Sequence, residues 1–216
     1  MTNPDFTVIQ AIIDRSGSME SIRSDAEGGF NAFVADQRNQ PGQCQLSLAQ
    51  FDNEYEVVYT DKPLDEVPPL QIVPRGTTAM LDAIGRTVID LGARLAAMPE
   101  DARPGTVLVA IVTDGLENAS REFSYAAIKQ LITQQEQVYN WTFMYLGADQ
   151  DAIAQGAQMG IAAGRSLTYG RGSSGQAYEA MSGAVRRLRS AAADGLQGPE
   201  VRRAAEFTAD ERQQAE

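Results

Sequence analysis

Three oxygen-bearing side chains stand at alternate positions where an apolar run stops: Asp14, Ser16 and Ser18 in AIIDRSGSME. The preceding FTVIQAII, residues 6–13, is rich in β-branched residues and reads as a buried strand. Asp14 then lies at the carboxyl end of that strand, and the serines lie on the loop leading to the next element. There the three oxygens can converge on one point, and such a cluster suits a hard divalent cation. The same residues have a second reading, a serine-rich turn in which Ser18 or Ser21 caps a helix and Asp14 complements its dipole.

The chain contains no histidine. That removes the commonest general base, the usual zinc ligand and the hinge of any Ser-His or Cys-His pair. Asp, Glu, Ser, Thr and Asn remain for chemistry, and their oxygens favour magnesium or calcium over softer metals. A formal net charge of -11 argues against a nucleic-acid or anionic-membrane surface, which needs clustered Lys and Arg. The densest basic cluster, Arg186, Arg187 and Arg189, reads as a solvated helix face. The single cysteine, Cys44, excludes an internal disulfide and sits where a buried core thiol is expected. MTNPDFTVIQ holds no basic stretch followed by a long apolar run, so no secretory signal or membrane span is read, and the cytoplasm is the expected compartment.

The elements that must position the oxygens follow from periodicity. Ile22, Ala26, Phe30, Phe33 and Gln37 fall on one face of a predicted helix that ends at Pro41 and Gly42. CQLSLAQFDNEYEVVYT alternates on both sides of Asp52 and Asn53, which predicts two antiparallel strands joined by a tight turn. Met80, Leu81, Ile84, Val88, Leu91 and Leu95 mark a second helix that stops before Pro99. TVLVAIVT, residues 106–113, is the most continuous apolar run and reads as a central parallel strand buried on both faces, closed by Asp114. A helix through Tyr125, Ile128, Leu131 and Ile132 follows. WTFMYLG is then a strand, 151–160 a short helical piece, 166–169 an edge strand and 176–192 a last helix.

This alternation predicts an α/β fold, an open doubly wound (Rossmann-like), mostly parallel sheet with one antiparallel edge strand and helices on both faces. Such sheets bind ligands beyond the carboxyl ends of the strands, where strand order reverses. Asp14 and Asp114 meet there if their strands are neighbours. Residues 1–192 read as a single domain and residues 193–216 as a polar, weakly ordered tail. GRGSSG, residues 170–175, has the spacing of a dinucleotide fingerprint but precedes only a terminal helix, so it reads as a flexible loop with Ser173 or Ser174 as the cap.

Two further segments, GTTAMLDAIG at 76–85 and VTDGLENAS at 112–120, extend the first pattern. DRSGSM, a Gly-Thr-Thr segment and TDG, in that order, resemble the von Willebrand factor A domain, whose metal-ion-dependent adhesion site is written Asp-x-Ser-x-Ser, then Thr, then Asp. The resemblance runs over residues 6–165. It implies a divalent metal, magnesium first with manganese or calcium as alternatives, at Asp14, Ser16, Ser18, Thr78 and Asp114. The family wording Gly-x-Thr-Ala-Leu-x-Asp-Ala-Ile, laid on GTTAMLDAI, selects Thr78 over Thr77. In the family the serines, and sometimes the threonine, bind the metal directly, the aspartates act largely through waters, and one position stays open for a partner's carboxylate. Glu117 and Asn118, just past the site, orient waters or touch a partner, with loop structure as the leading role. Arg15, inside the first motif, contacts an acidic ligand or points to solvent. The wording also resembles intracellular bacterial and phage-borne versions of the domain more than secreted adhesion proteins.

Three functions compete on this reading. The first is a non-catalytic, metal-dependent module that binds another protein through its Glu or Asp. The second is a magnesium-dependent phosphohydrolase with Asp14 as nucleophile, although the acid that such enzymes resemble two residues on is here Ser16. The third is a structural subunit whose metal staples three loops together.

Overall fold

The computed structural model of the chain describes residues 2–216. Its frame is a six-stranded sheet of order β3-β2-β1-β4-β5-β6. In chain order these strands are β1 (Asn3–Asp14), β2 (Gln43–Phe51), β3 (Tyr55–Pro63), β4 (Pro104–Thr113), β5 (Thr142–Ala148) and β6 (Ser166–Tyr169). All neighbours pair in parallel except β2 and β3, the hairpin turning at Asp52 and Asn53. The strand order reverses between β1 and β4, so Asp14 and Asp114 do end neighbouring strands at the switch point.

Helices α1 (Arg23–Arg38), α2 (Met80–Ala97), α3 (Tyr125–Val138), α4 (Ala152–Gln158) and α5 (Ser174–Ala193) cover both faces. The pleat of β4 explains the covering. Leu108, Ala110 and Val112 join one core with Phe30 and Phe33 of α1 and Met181, Val185 and Leu188 of α5. Val107, Val109 and Ile111 join the other core with Leu81, Ile84, Val88 and Leu91 of α2 and Ile128 and Ile132 of α3. A strand buried on both faces is apolar on both, which is why TVLVAIVT shows no alternation between its terminal threonines. Cys44 is buried in the first of these cores. No helix among the described residues is long and apolar enough to cross a membrane.

Two sequence expectations need correction. Residues 199–204 and 209–215, assigned to a weakly ordered tail, form helices α6 (Pro199–Ala204) and α7 (Ala209–Ala215). Their sparse apolar residues are well placed: Val201, Ala205, Phe207 and Ala215 all enter the core beside α5. Thr208 and Glu211 form a reciprocal capping box that starts α7. The arginines of α5 are a solvated face only in part: Arg186 is exposed, Arg187 is half-buried and Arg189 is buried. Arg187 pairs with Glu211 at 2.8 Å and donates to the carbonyls of Ala204 and Glu206. Buried Arg189 donates to the carbonyls of Gln37, Pro41 and Gly42, and Arg186 pairs with Asp36. Ser173 occupies the N-cap position of α5 but its side chain makes no capping bond.

Candidate metal centre

Three loops meet beyond the carboxyl ends of β1 and β4: the first, residues 15–22, follows β1; the second, residues 64–79, returns from β3 to α2; the third, residues 114–124, follows β4. Asp14 is fully buried. Its Oδ1 accepts the Ser16 N–H at 2.6 Å and its Oδ2 accepts the Thr113 hydroxyl at 2.5 Å. Burial pushes its carboxyl up to about 6, against the partial relief of the Thr113 and Ser16 bonds. A short 3-10 turn, Gly17–Ser21, carries Ser18 back over the strand end and is anchored by buried Met19. Ser18 Oγ lies 3.0 Å from Ser16 Oγ and donates to Asp114 Oδ1 at 2.6 Å. Asp114 is buried, which raises its carboxyl as well, and its Oδ2 has no hydrogen-bond partner.

Thr78 arrives on the segment that starts α2, and the third loop holds it there. Its N–H donates to Asn118 Oδ1 at 2.9 Å and its carbonyl accepts the Asn118 N–H at 3.0 Å. Thr77 beside it is exposed, while Thr78 is buried. Gly115 measures how tightly the oxygens converge. A Cβ on that glycine would stand 2.9 Å from Thr78 Oγ1, 3.5 Å from Asp14 Oδ2 and 3.6 Å from Ser18 Oγ. Any side chain there would fill the space these oxygens share. The structure therefore brings Asp14, Ser16, Ser18, Thr78 and Asp114 together. The set is all oxygen, three hydroxyls with two carboxylates, and it fits a hard cation. Among the described residues no group of three or more His, Cys, Asp or Glu side chains has a metal-holding arrangement, so a centre here has to draw on hydroxyls.

The loops are tied to one another by the protein's own bonds. Gly17 N–H donates to Gly76 O and Arg75 N–H to Arg15 O, joining the first loop to the second. Glu117 Oε1 accepts the N–H groups of Ala119 and Ser120, and its Oε2 accepts the Leu81 N–H and the Ser120 hydroxyl. Glu117 and Asn118 thus serve loop structure. Arg15 follows neither of its two readings: it is buried, bonds Asp52 at 2.9 Å and pairs with Glu56, so its charge is spent on the β2–β3 hairpin.

Sequence reasoning missed three residues. Thr113 holds Asp14, and its position directly before Asp114 was a usable signal, a polar side chain inside an otherwise apolar buried strand. Asp82 accepts the N–H groups of Arg121, Glu122 and Phe123 at 2.8, 2.9 and 2.9 Å. It lies inside the GTTAMLDAIG motif but served there only to align the threonine. Gln150 comes from the β5–α4 loop, which none of the motifs covers.

No protein-family model and no curated protein matches the chain by sequence. Its fold does match solved structures. The von Willebrand factor type A protein from Catenulispora acidiphila superposes with a TM-score of 0.57 at 15% identity, over 84% of this chain and 43% of that one. Proximal thread matrix protein 1 from the mussel byssus, with a zinc-occupied MIDAS motif, gives 0.52 at 16% identity over 76% and 41%. The chain spans less than half the length of these two. The vWF domain of the type V pili tip protein Mfa5 from Porphyromonas gingivalis gives 0.59 at 11% identity, over 83% of this chain and 94% of that one. The fold of this chain is that of the von Willebrand factor A domain.

Proposed function

We propose that the chain is a non-catalytic binding module that captures an acidic side chain of another protein through a divalent cation. The observation that carries this reading is the space beside Gly115, around which Thr78 Oγ1, Asp14 Oδ2 and Ser18 Oγ gather while Asp114 Oδ2 keeps no partner. Ser16, Ser18 and Thr78 would hold the ion with their hydroxyls, and Asp14 and Asp114 would balance its charge. Magnesium suits this set best, with manganese or calcium as substitutes. The bound ion supplies an electrophilic point that a Glu or Asp from outside can complete. Hydroxyls next to the ion leave more of its charge for that carboxylate than a wholly anionic set would.

The competing functions fit less well. A phosphohydrolase needs Asp14 free to attack, yet Asp14 is fully buried and both its oxygens accept hydrogen bonds. A metal staple has little to do, because the loops are already joined at Gly17–Gly76 and Thr78–Asn118. A cytoplasmic, bacterial-type setting accords with the wording of the motifs. A net charge of -11, with Arg189 buried and Arg186 and Arg187 each paired to an acid, does not favour nucleic acid as the partner. The test is affinity capture of partners from a bacterial lysate with Mg2+, repeated with EDTA and with Asp14→Ala. Partners should be lost in both latter arms; capture that survives chelation would end the metal-bridged reading.

A further inference from the structure

The β5–α4 loop closes on the candidate centre from the side of the sheet opposite the hairpin. Gly147 of β5 pairs with Thr113 of β4, and Ala148 with Tyr169 of β6, so this loop starts level with Asp114. Asp149 then takes φ 49, a left-handed conformation uncommon outside glycine. It is held there by its N–H on Tyr169 O at 2.9 Å and by Arg171, whose backbone N–H and Nε reach its carboxylate at 3.2 and 2.9 Å.

The strained turn delivers Gln150. Its Oε1 accepts the Tyr145 hydroxyl at 3.0 Å, which leaves Nε2 facing the third loop. Nε2 is shared between Thr113 O and Gly115 O, at 3.5 and 3.4 Å, the two carbonyls that bracket Asp114. A Cβ on Gly147 would lie 2.8 Å from Gln150 Cγ and 2.9 Å from its Cδ, so the strand is bare where the glutamine crosses it. A glycine within a strand and a left-handed aspartate are both unfavourable locally. What they jointly secure is the direction of one amide.

We propose that Gln150 is a positioning residue of the metal centre. Its amide reaches the carbonyl of the peptide group that leads into Asp114 and, one residue past it, the Gly115 carbonyl, and by tethering the turn at these two points it sets the direction of the carboxylate whose Oδ2 has no partner. The inference rests on the metal reading above and extends the centre to a loop outside its three motifs.

The test is calorimetric titration of the full chain with Mg2+ and Mn2+, paired with thermal unfolding in EDTA. Residues that orient metal ligands typically carry about 10- to 100-fold in affinity, and Gln150→Ala should lose an amount in that range while its unfolding temperature in EDTA stays near wild type. Tyr145→Phe frees the amide to turn and should lose less. Gly147→Ala should weaken binding by displacing the glutamine, and the Gly147→Ala, Gln150→Ala double variant should bind no worse than Gln150→Ala alone. Wild-type-like affinity in Gln150→Ala overturns the proposal. So does an affinity loss matched by an equal loss of stability in EDTA, because Gln150 would then only hold the loop. If the wild-type chain binds neither ion, the metal reading itself fails; wild-type binding with an unaffected Gln150→Ala removes the positioning role alone.

Discussion

The carboxylate of Asp82 offers a quantitative check on how the third loop is held. It accepts three backbone N–H groups, Arg121 on Oδ2 and Glu122 and Phe123 on Oδ1. Burial alone would raise its carboxyl, but these bonds outweigh burial and hold it below the usual carboxylate range. In Asp82→Asn the remaining oxygen can still serve two of the donors, as a neutral acceptor, while the new NH2 meets the third N–H head-on. One bond to a charged acceptor is lost, worth about 1.5–3 kcal/mol, and two are weakened, so the cost should be about 3 kcal/mol. For a chain of this size that lowers the unfolding temperature by about 6–12 °C.

The pH dependence has a definite sign. A carboxyl whose folded pKa lies below its unfolded value of about 3.9 contributes fully above that value and loses its contribution as pH falls through the folded pKa. The gap between wild type and Asp82→Asn should therefore be widest at neutral pH and narrow below about pH 4. Circular dichroism melts in EDTA at several pH values measure both quantities. A variant that melts within about 2 °C of wild type at pH 7, or a gap that is unchanged well below pH 4, would refute the reasoning.

Other substitutions separate stability from metal binding. Asp14→Asn removes a buried charge while keeping an acceptor for the Ser16 N–H, so in EDTA it should unfold no lower than wild type, yet melting curves should show no response to Mg2+. Gly115→Ala puts a methyl 2.9 Å from Thr78 Oγ1 and should weaken Mg2+ binding in calorimetry far more than it lowers the melting temperature in EDTA. Phe207→Ala opens a cavity beside α5 and should cost about 3–5 kcal/mol in urea unfolding, whereas a disordered tail would give almost nothing.

Much of the fold was legible because its strands are buried on both faces or alternate cleanly. FTVIQAII and TVLVAIVT declare central strands by having no polar face, and the alternation around Asp52 declares the hairpin. The tail misled because averaged polarity hides placement. Val201, Ala205, Phe207 and Ala215 are few among charges, yet each is buried in the core that α5 lines. The arginines of α5 misled for the same reason, since their partners Asp36, Gln37 and Glu211 lie far off in sequence. Sequence spacing can bring Asp14, Ser16 and Ser18 to one loop; it says nothing of Gln150, which reaches Thr113 and Gly115 only through the β4–β5 pairing.

The acids near the carboxyl end of the sheet differ in a way that bears on function. Asp52 is met by Arg15, Arg75 and the Glu54 N–H, Asp82 by three backbone N–H groups, and Glu117 by donors on both oxygens. These are acids whose charge the protein neutralises for itself, and their work is to fix loops. No cation pairs with Asp14. Asp114 Oδ2 is, among the described residues, the only buried carboxylate oxygen without a partner. Both carboxyls are nevertheless raised by burial, Asp14 despite hydrogen bonds on both oxygens and Asp114 with one oxygen bare, so the fold bears an electrostatic cost at this point. A divalent cation would relieve that cost, and hydroxyls beside it would leave enough of its charge to attract one more carboxylate.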